Sequence, residues 1–106
     1  MANGYVITPT KNAKNFTDDM LDELYDYMGL SMLPIHEDTP CPWDADFDIK
    51  DGKLVLVGGA GPSGFGYCKV EVPIADAGKM FKFDCYDMSP EMKDKILKCG
   101  WAVKEV

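Results

Sequence analysis

Carboxylates dominate the residues of this chain that can do chemistry. Asp18, Asp22 and Asp26 recur four residues apart, and Asp19 and Glu23 form a second row beside them. On a helix such spacing stacks like charges along one side, at a cost of about 0.2–0.5 kcal/mol per pair. Asp44, Asp46 and Asp48 alternate with Ala45, Phe47 and Ile49. On a strand those three carboxylates project from one face, about 6.6 Å apart, and the apolar residues point inward. Glu37 and Asp38 add two more charges between the two sets. A negative field of this kind attracts a basic surface and speeds its approach. It does not hold calcium in the EF-hand manner. Asp44, Asp46 and Asp48 fit ligand positions one, three and five, but Ile49 stands where the loop needs glycine and Val55 where it needs a bidentate glutamate.

Cys41, Cys68, Cys85 and Cys99 include no C-x-x-C pair, so neither a zinc ribbon nor a thioredoxin-type site is indicated. Cys68, Cys85 and Cys99 fall at apolar positions of their segments, where a free thiol behaves as a small buried hydrophobe. For a zinc site assembled from distant residues, His36 and Cys41 are the loop ligands available. His36 is the single histidine, so any Ser-His or Cys-His nucleophile would need it as base. The proline-rich stretch around it is a poor scaffold for that role. Gly59 to Gly64 reads G-x-G-x-x-G, yet the segment behind it alternates with period two and reaches Pro73. No helix N-terminus follows to receive a phosphate, which the dinucleotide fingerprint requires. The residues therefore predict no catalytic group and no cofactor. Trp43, in the acidic stretch, and Phe65, in the glycine loop, are the candidate apolar anchors, tryptophan being favoured at binding hot spots.

The charge is unevenly placed. Residues 1–52 hold eleven acids and three lysines, a balance of -8, and residues 53–106 hold seven acids and eight lysines, a balance of +1. All eleven basic residues are lysines. The lack of a basic stripe and of guanidinium groups argues against direct nucleic-acid binding. Five glycines and a proline interrupt the longest uncharged stretch, Leu54 to Cys68, which excludes a membrane span there. No basic segment followed by an apolar one opens the chain, and the expected location is the cytoplasm. With 106 residues, 46% of them hydrophobic, the expectation is one domain with a real core.

The elements that must carry these groups follow from punctuation and period. Gly4 to Thr8 is a short strand ended by Pro9. Thr17 caps a helix over residues 18–28, with Asp18 and Asp19 at its positive end and Phe16 stapled against Leu21. Leu21, Leu24, Tyr25 and Met28 make its expected buried stripe, and Gly29 its stop. Residues 31–45 hold three prolines without a period and read as a long loop. Asp51-Gly52 joins strands 46–50 and 53–57 in a hairpin. Residues 58–66 form a glycine loop, and residues 67–72 and 79–87 alternate as strands. Ser89 and Pro90 open a helix that buries Met92, Ile96 and Cys99 and ends at Gly100, and a last strand follows Trp101. The strands and helices do not alternate as βαβ units. The predicted fold is α+β, a single domain with an antiparallel sheet of about four to five strands and two helices packed on it.

The sequence thus predicts a small acidic protein-binding inhibitor, not an enzyme, which covers a basic nucleic-acid-handling partner. Asp18, Asp19, Asp22, Glu23, Asp26, Glu37, Asp38, Asp44, Asp46 and Asp48 supply the field in this reading, and Trp43 and Phe65 the anchors. In size and charge alone the chain is similar to phage or mobile-element anti-defence proteins such as anti-CRISPR inhibitors, and its acidic surface suits a partial nucleic-acid mimic. The alternatives are a small-molecule- or zinc-binding accessory domain and a toxin-immunity protein.

Overall fold

The computed structural model describes residues 4–61 and 66–106. The described elements are, in order, β1 (Tyr5–Pro9), α1 (Asp18–Asp26), β2 (Ser31–Pro34), β3 (Trp43–Lys50), β4 (Lys53–Gly59), β5 (Cys68–Pro73), α2 (Ile74–Met80), β6 (Phe81–Cys85), α3 (Pro90–Lys98) and β7 (Trp101–Glu105). They form an α+β domain with two antiparallel sheets. One has four strands in the order β2-β6-β1-β7, and the other three in the order β3-β4-β5.

Local chemistry explains most of these boundaries. The Thr17 hydroxyl accepts from the Met20 amide at 3.2 Å and the Ser89 hydroxyl from the Met92 amide at 3.1 Å, so α1 and α3 both begin at a side-chain cap. Asp51 and Gly52 both adopt left-handed backbone, φ 53° and 74°, the pair of angles that a two-residue hairpin turn needs. That turn sets the register Ile49 opposite Leu54 and Phe47 opposite Leu56. Leu54 in turn faces Val72, so one face of this sheet is apolar throughout. In the larger sheet Ile7 lies opposite both Phe83 and Val103, which gives it an apolar face too.

The two apolar faces meet in the core. No strand pairing joins the sheets among the described residues; side chains do. Phe47 of β3 meets Phe83 of β6 edge-on at 5.0 Å between ring centres, and Phe83 meets Trp101 of β7 at 5.3 Å. Phe16, just ahead of α1, lies 4.6 Å from Trp101 and 6.1 Å from Phe47. The Trp101 indole N–H donates to the Lys14 carbonyl at 2.9 Å, so the largest buried side chain keeps its polar atom satisfied. Met20 and Leu24 of α1 and Met92 and Ile96 of α3 complete this core.

Several expectations are corrected. One sheet of four to five strands is in fact two sheets, because β1 pairs with β6 and β7, far along the chain, and not with the hairpin. A third helix, α2, occupies residues 74–80, so the strand read over 79–87 is confined to Phe81–Cys85. The helix takes up the turn between two sheets, with Ile74 and Ala77 buried. The loop read over 31–45 contains β2 and the start of β3. Helix α1 ends at Asp26, and it buries Met20 and Leu24 while Tyr25 stays exposed. Cys85 is buried as expected, whereas Cys68 and Cys99 are only half-buried. Pro62, Ser63, Gly64 and Phe65 lie outside the described residues, and with them the candidate anchor Phe65.

The aromatic cluster generates a direct test. Phe83→Ala should lower unfolding free energy by about 3–5 kcal/mol, and Tyr27→Ala, at an exposed site, by no more than about 0.5 kcal/mol. Urea denaturation of the two variants checks this, and equal losses would deny the cluster its joining role.

Candidate partner-binding site

The two acidic segments meet. Asn15 lies beside the free edge of β3, where its side-chain amide accepts from the Ile49 N–H at 2.7 Å and donates to the Ile49 carbonyl at 3.1 Å. This one amide occupies the edge as a neighbouring strand would. The first turn of helix α1 lies next to this edge. A cleft of about 260 Å³ between them is lined by Asp18 and Leu21 of α1 and by Phe47 and Asp48 of β3. Tyr25 is about half exposed, and its partial burial pushes the phenol up from its ordinary value, with the Asp46 carboxylate of β3 adding to this. Asp18, Asp46 and Asp48 therefore belong to one margin of the molecule. Asp19, Asp22, Glu23 and Asp26 are exposed on the rest of the helix.

Lys50, Lys53 and Lys69 line a pocket with Asp48 at one end of this field, but none forms an ion pair with its acids among the described residues. Among the described residues the ion pairs are Lys53–Glu71, Lys69–Glu71 and Lys82–Asp84, all between residues of the second half of the chain. All three are exposed or partly exposed pairs of small energetic worth. The acids of residues 1–52 enter none of them. The last turn of α1 also opposes the helix dipole, although Asp18 and Asp19 suit its first turn. The helix carries no basic residue in its last turn, whereas α2 ends with Lys79 and α3 with Lys95 and Lys98. A carboxylate such as Asp26 in the last turn meets the negative end of the helix.

The other predicted residues gather around the start of β3. Leu33, Pro34, Cys41, Pro42 and Trp43 line an open groove of about 430 Å³, and Glu37 and Asp44 complete it. Trp43 is 55% exposed and Leu33 51%. The exposure of Trp43 has a local cause. It pairs with Gly59 across the hairpin, and the register slips by one residue between Trp43 and Asp46. Opposite a glycine it has no cross-strand side chain to pack on. Asp44, inside this bulge, takes left-handed backbone at φ 50°, a conformation that aspartate tolerates better than most residues. Gly58 lies beneath the bulge, and a Cβ there would collide with the Trp43 carbonyl oxygen and stand 2.9 Å from Pro42.

Asp38 and His36 are exposed in the turn between β2 and β3. The His36 carbonyl accepts from the Thr39 amide at 3.0 Å, closing that turn. Among the described residues no three or more His, Cys, Asp or Glu side chains are grouped to hold a metal ion, so His36 and Cys41 gain no further ligands. Burial raises the Cys41 thiol above its ordinary value, and neighbouring Cys68 raises it further. Sequence reasoning missed Leu33, because prolines hide β2, and misplaced Tyr25. It also passed over exposed Tyr27 and Tyr86, whose hydroxyl donates to the Tyr27 carbonyl at 3.1 Å. Comparison with known proteins finds no matching protein-family model, no matching curated protein and no matching solved structure.

Two predictions follow from this geometry. Gly58→Ala should destabilise the chain by about 1–3 kcal/mol through overpacking and shift the Trp43 amide resonance; a neutral change would mean that the bulge gives way freely. The second concerns Cys85, whose thiol is pushed up to about 11, first by burial and then by Asp84. Unfolded, that thiol ionises near pH ~8.5. The unfolded chain thus loses its proton first, and the stabilisation is complete below that pH and lost as pH rises to about 11. The stability gap between the native chain and Cys85→Ala should shrink by on the order of 2–3 kcal/mol across that window. A gap of constant size would refute it.

Proposed function

We propose that this protein is a binding inhibitor that docks its α1–β3 margin on a basic, nucleic-acid-handling surface of a partner protein. The observation that carries the reading is the unanswered charge of α1. Its carboxylate rows repel one another, its last turn opposes its dipole, and no described lysine pairs with it. The same chain builds α2 and α3 with acids first and lysines last. A helix required only for packing needs no such arrangement, since its buried contacts are Met20 and Leu24. A cationic partner removes the repulsion on binding and turns an unfavourable field into a favourable one. Asp46 and Asp48 extend the field beyond the helix, so the surface offered has carboxylates on two elements, in the manner of a partial nucleic-acid mimic.

The test uses stability and binding together. Asp22→Asn, Glu23→Gln and Asp26→Asn combined should leave the domain as stable or more stable, by up to about 1 kcal/mol from relieved i,i+4 repulsion. The same triple variant should lose capture of a basic nucleic-acid-binding protein from cell lysate at low salt. The native chain should release that protein as salt rises, exposed charges being screened beyond ~8 Å at physiological ionic strength. Retention of the same partner by the triple variant would remove α1 from the interface and this reading with it.

A further inference from the structure

The geometry points to a second, chemically different contact: the groove between β2 and the start of β3 takes one apolar side chain from an extended basic segment of the partner. This rests on the inhibitor reading for the partner's identity, and on the groove's own chemistry for what enters it. Leu33 and Trp43 stand on edge strands of different sheets, each about half exposed, and together form the walls. Their exposure is built into the backbone. Trp43 faces Gly59 and sits beside a bulge, so no neighbour on its own sheet covers it. The open groove, about 430 Å³, has room for one apolar side chain and the backbone on either side of it.

Glu37 and Asp44 select among occupants. They place carboxylates beside the apolar walls, and neither belongs to any ion pair among the described residues. An apolar side chain with a lysine or arginine on either side matches apolar wall and carboxylate together. A second copy of this chain matches less well: its net charge is -7, and its exposed Leu97, between Lys95 and Lys98, lies on helix α3 and not on an extended segment. The two contacts also differ in physics. The α1–β3 margin acts at a distance and fades with salt, whereas the groove acts by burial of apolar surface and persists.

The probe is the peptide acetyl-Gly-Lys-Leu-Lys-Gly-amide, titrated into the full ¹⁵N-labelled chain and followed by NMR. The expected shifts concentrate on the Trp43 indole N–H and on the Leu33 and Asp44 amides. Replacing leucine by glycine in the peptide should weaken binding about tenfold, the loss of one buried aliphatic side chain. Replacing both lysines by glutamate should abolish it. In the protein, Trp43→Ala should weaken binding about tenfold, and Asp44→Gly, which keeps the left-handed backbone comfortable, should weaken it severalfold. The Asp22→Asn, Glu23→Gln, Asp26→Asn variant should bind the peptide as the native chain does. Shifts spread over α1, or equal binding of the leucine and glycine peptides, would overturn the groove assignment. Concentration-dependent shifts of Trp43 and Leu33 without peptide would overturn it in favour of a second copy. Should the peptide fail while the α1 variant still loses its lysate partner, the inhibitor reading stands and the groove falls. Peptide docking without any salt-sensitive partner gives the reverse.

Discussion

The structure depends on four aromatic side chains. The two sheets share no hydrogen-bonded strand among the described residues, so nothing in the backbone ladders fixes one against the other. Phe47 from the smaller sheet, Phe83 and Trp101 from the larger, and Phe16 from the chain ahead of α1 supply that link by edge and tilted ring contacts. Such contacts favour particular ring geometries beyond the area they bury. They hold the sheets in one relation instead of merely together. The indole N–H of Trp101 on the Lys14 carbonyl ties the connection from β1 to α1 into the same cluster.

The position of the acids follows from this cluster. Phe16 immediately precedes Thr17, the cap of α1, and Phe47 sits between Asp46 and Asp48. Once both rings are locked against Trp101, their chain neighbours must emerge on adjacent parts of the surface. Alternation along β3 sends Asp46 and Asp48 outward as Phe47 turns in, and the cap geometry starts α1 with Asp18 beside Asp48. Asn15 completes the arrangement by hydrogen-bonding Ile49 on the edge of β3. The core thus dictates that two acidic segments, distant in sequence, form one margin.

Legibility in the sequence tracks how local each determinant is. The caps Thr17 and Ser89, the Asp51-Gly52 turn and the in-out alternation of residues 45–49 were all readable, because each acts within a few residues. Helix α2 was not: it is seven residues long, opens after Pro73 without a side-chain cap and contains Gly78, so propensity argued against it. Strand β2 was obscured because Pro34 ends it after four residues. Its stability comes from pairing with β6, which no local signal announces. In α1 two stripes compete, Met20 with Leu24 and Leu21 with Tyr25. The choice between them is made by tertiary packing: Met20 and Leu24 enter the core, and Leu21 lines the cleft beside β3. For the same reason the sequence exposed the acidic residues themselves but not their convergence, which depends on the long-range contact of Phe16 with Phe47. The groove was less legible still, since Leu33 and Trp43 meet only through two separate sheet edges.

The acids of β3 and those of α1 do not carry equal weight. An edge strand needs protection from pairing with other chains, and outward charges are an ordinary means to it. Asp44, Asp46 and Asp48 on the eight-residue edge strand β3 are accounted for by that need alone. Helix α1 has no edge to protect. Neither row of carboxylates accepts a described hydrogen bond from its backbone, whose first turn is capped by Thr17, and lysines interleaved among the same exposed positions would keep it equally wet and make it more stable. Edge protection also calls for charge of either sign, and β3 carries Lys50 after its three aspartates, whereas α1 carries acids alone. A surface shaped by solubility or edge protection has reason to mix charges, and this chain does so on β5 and β6, where lysines sit within reach of Glu71 and Asp84. On α1 it does not, and repulsion retained along that helix is what a cationic partner would relieve.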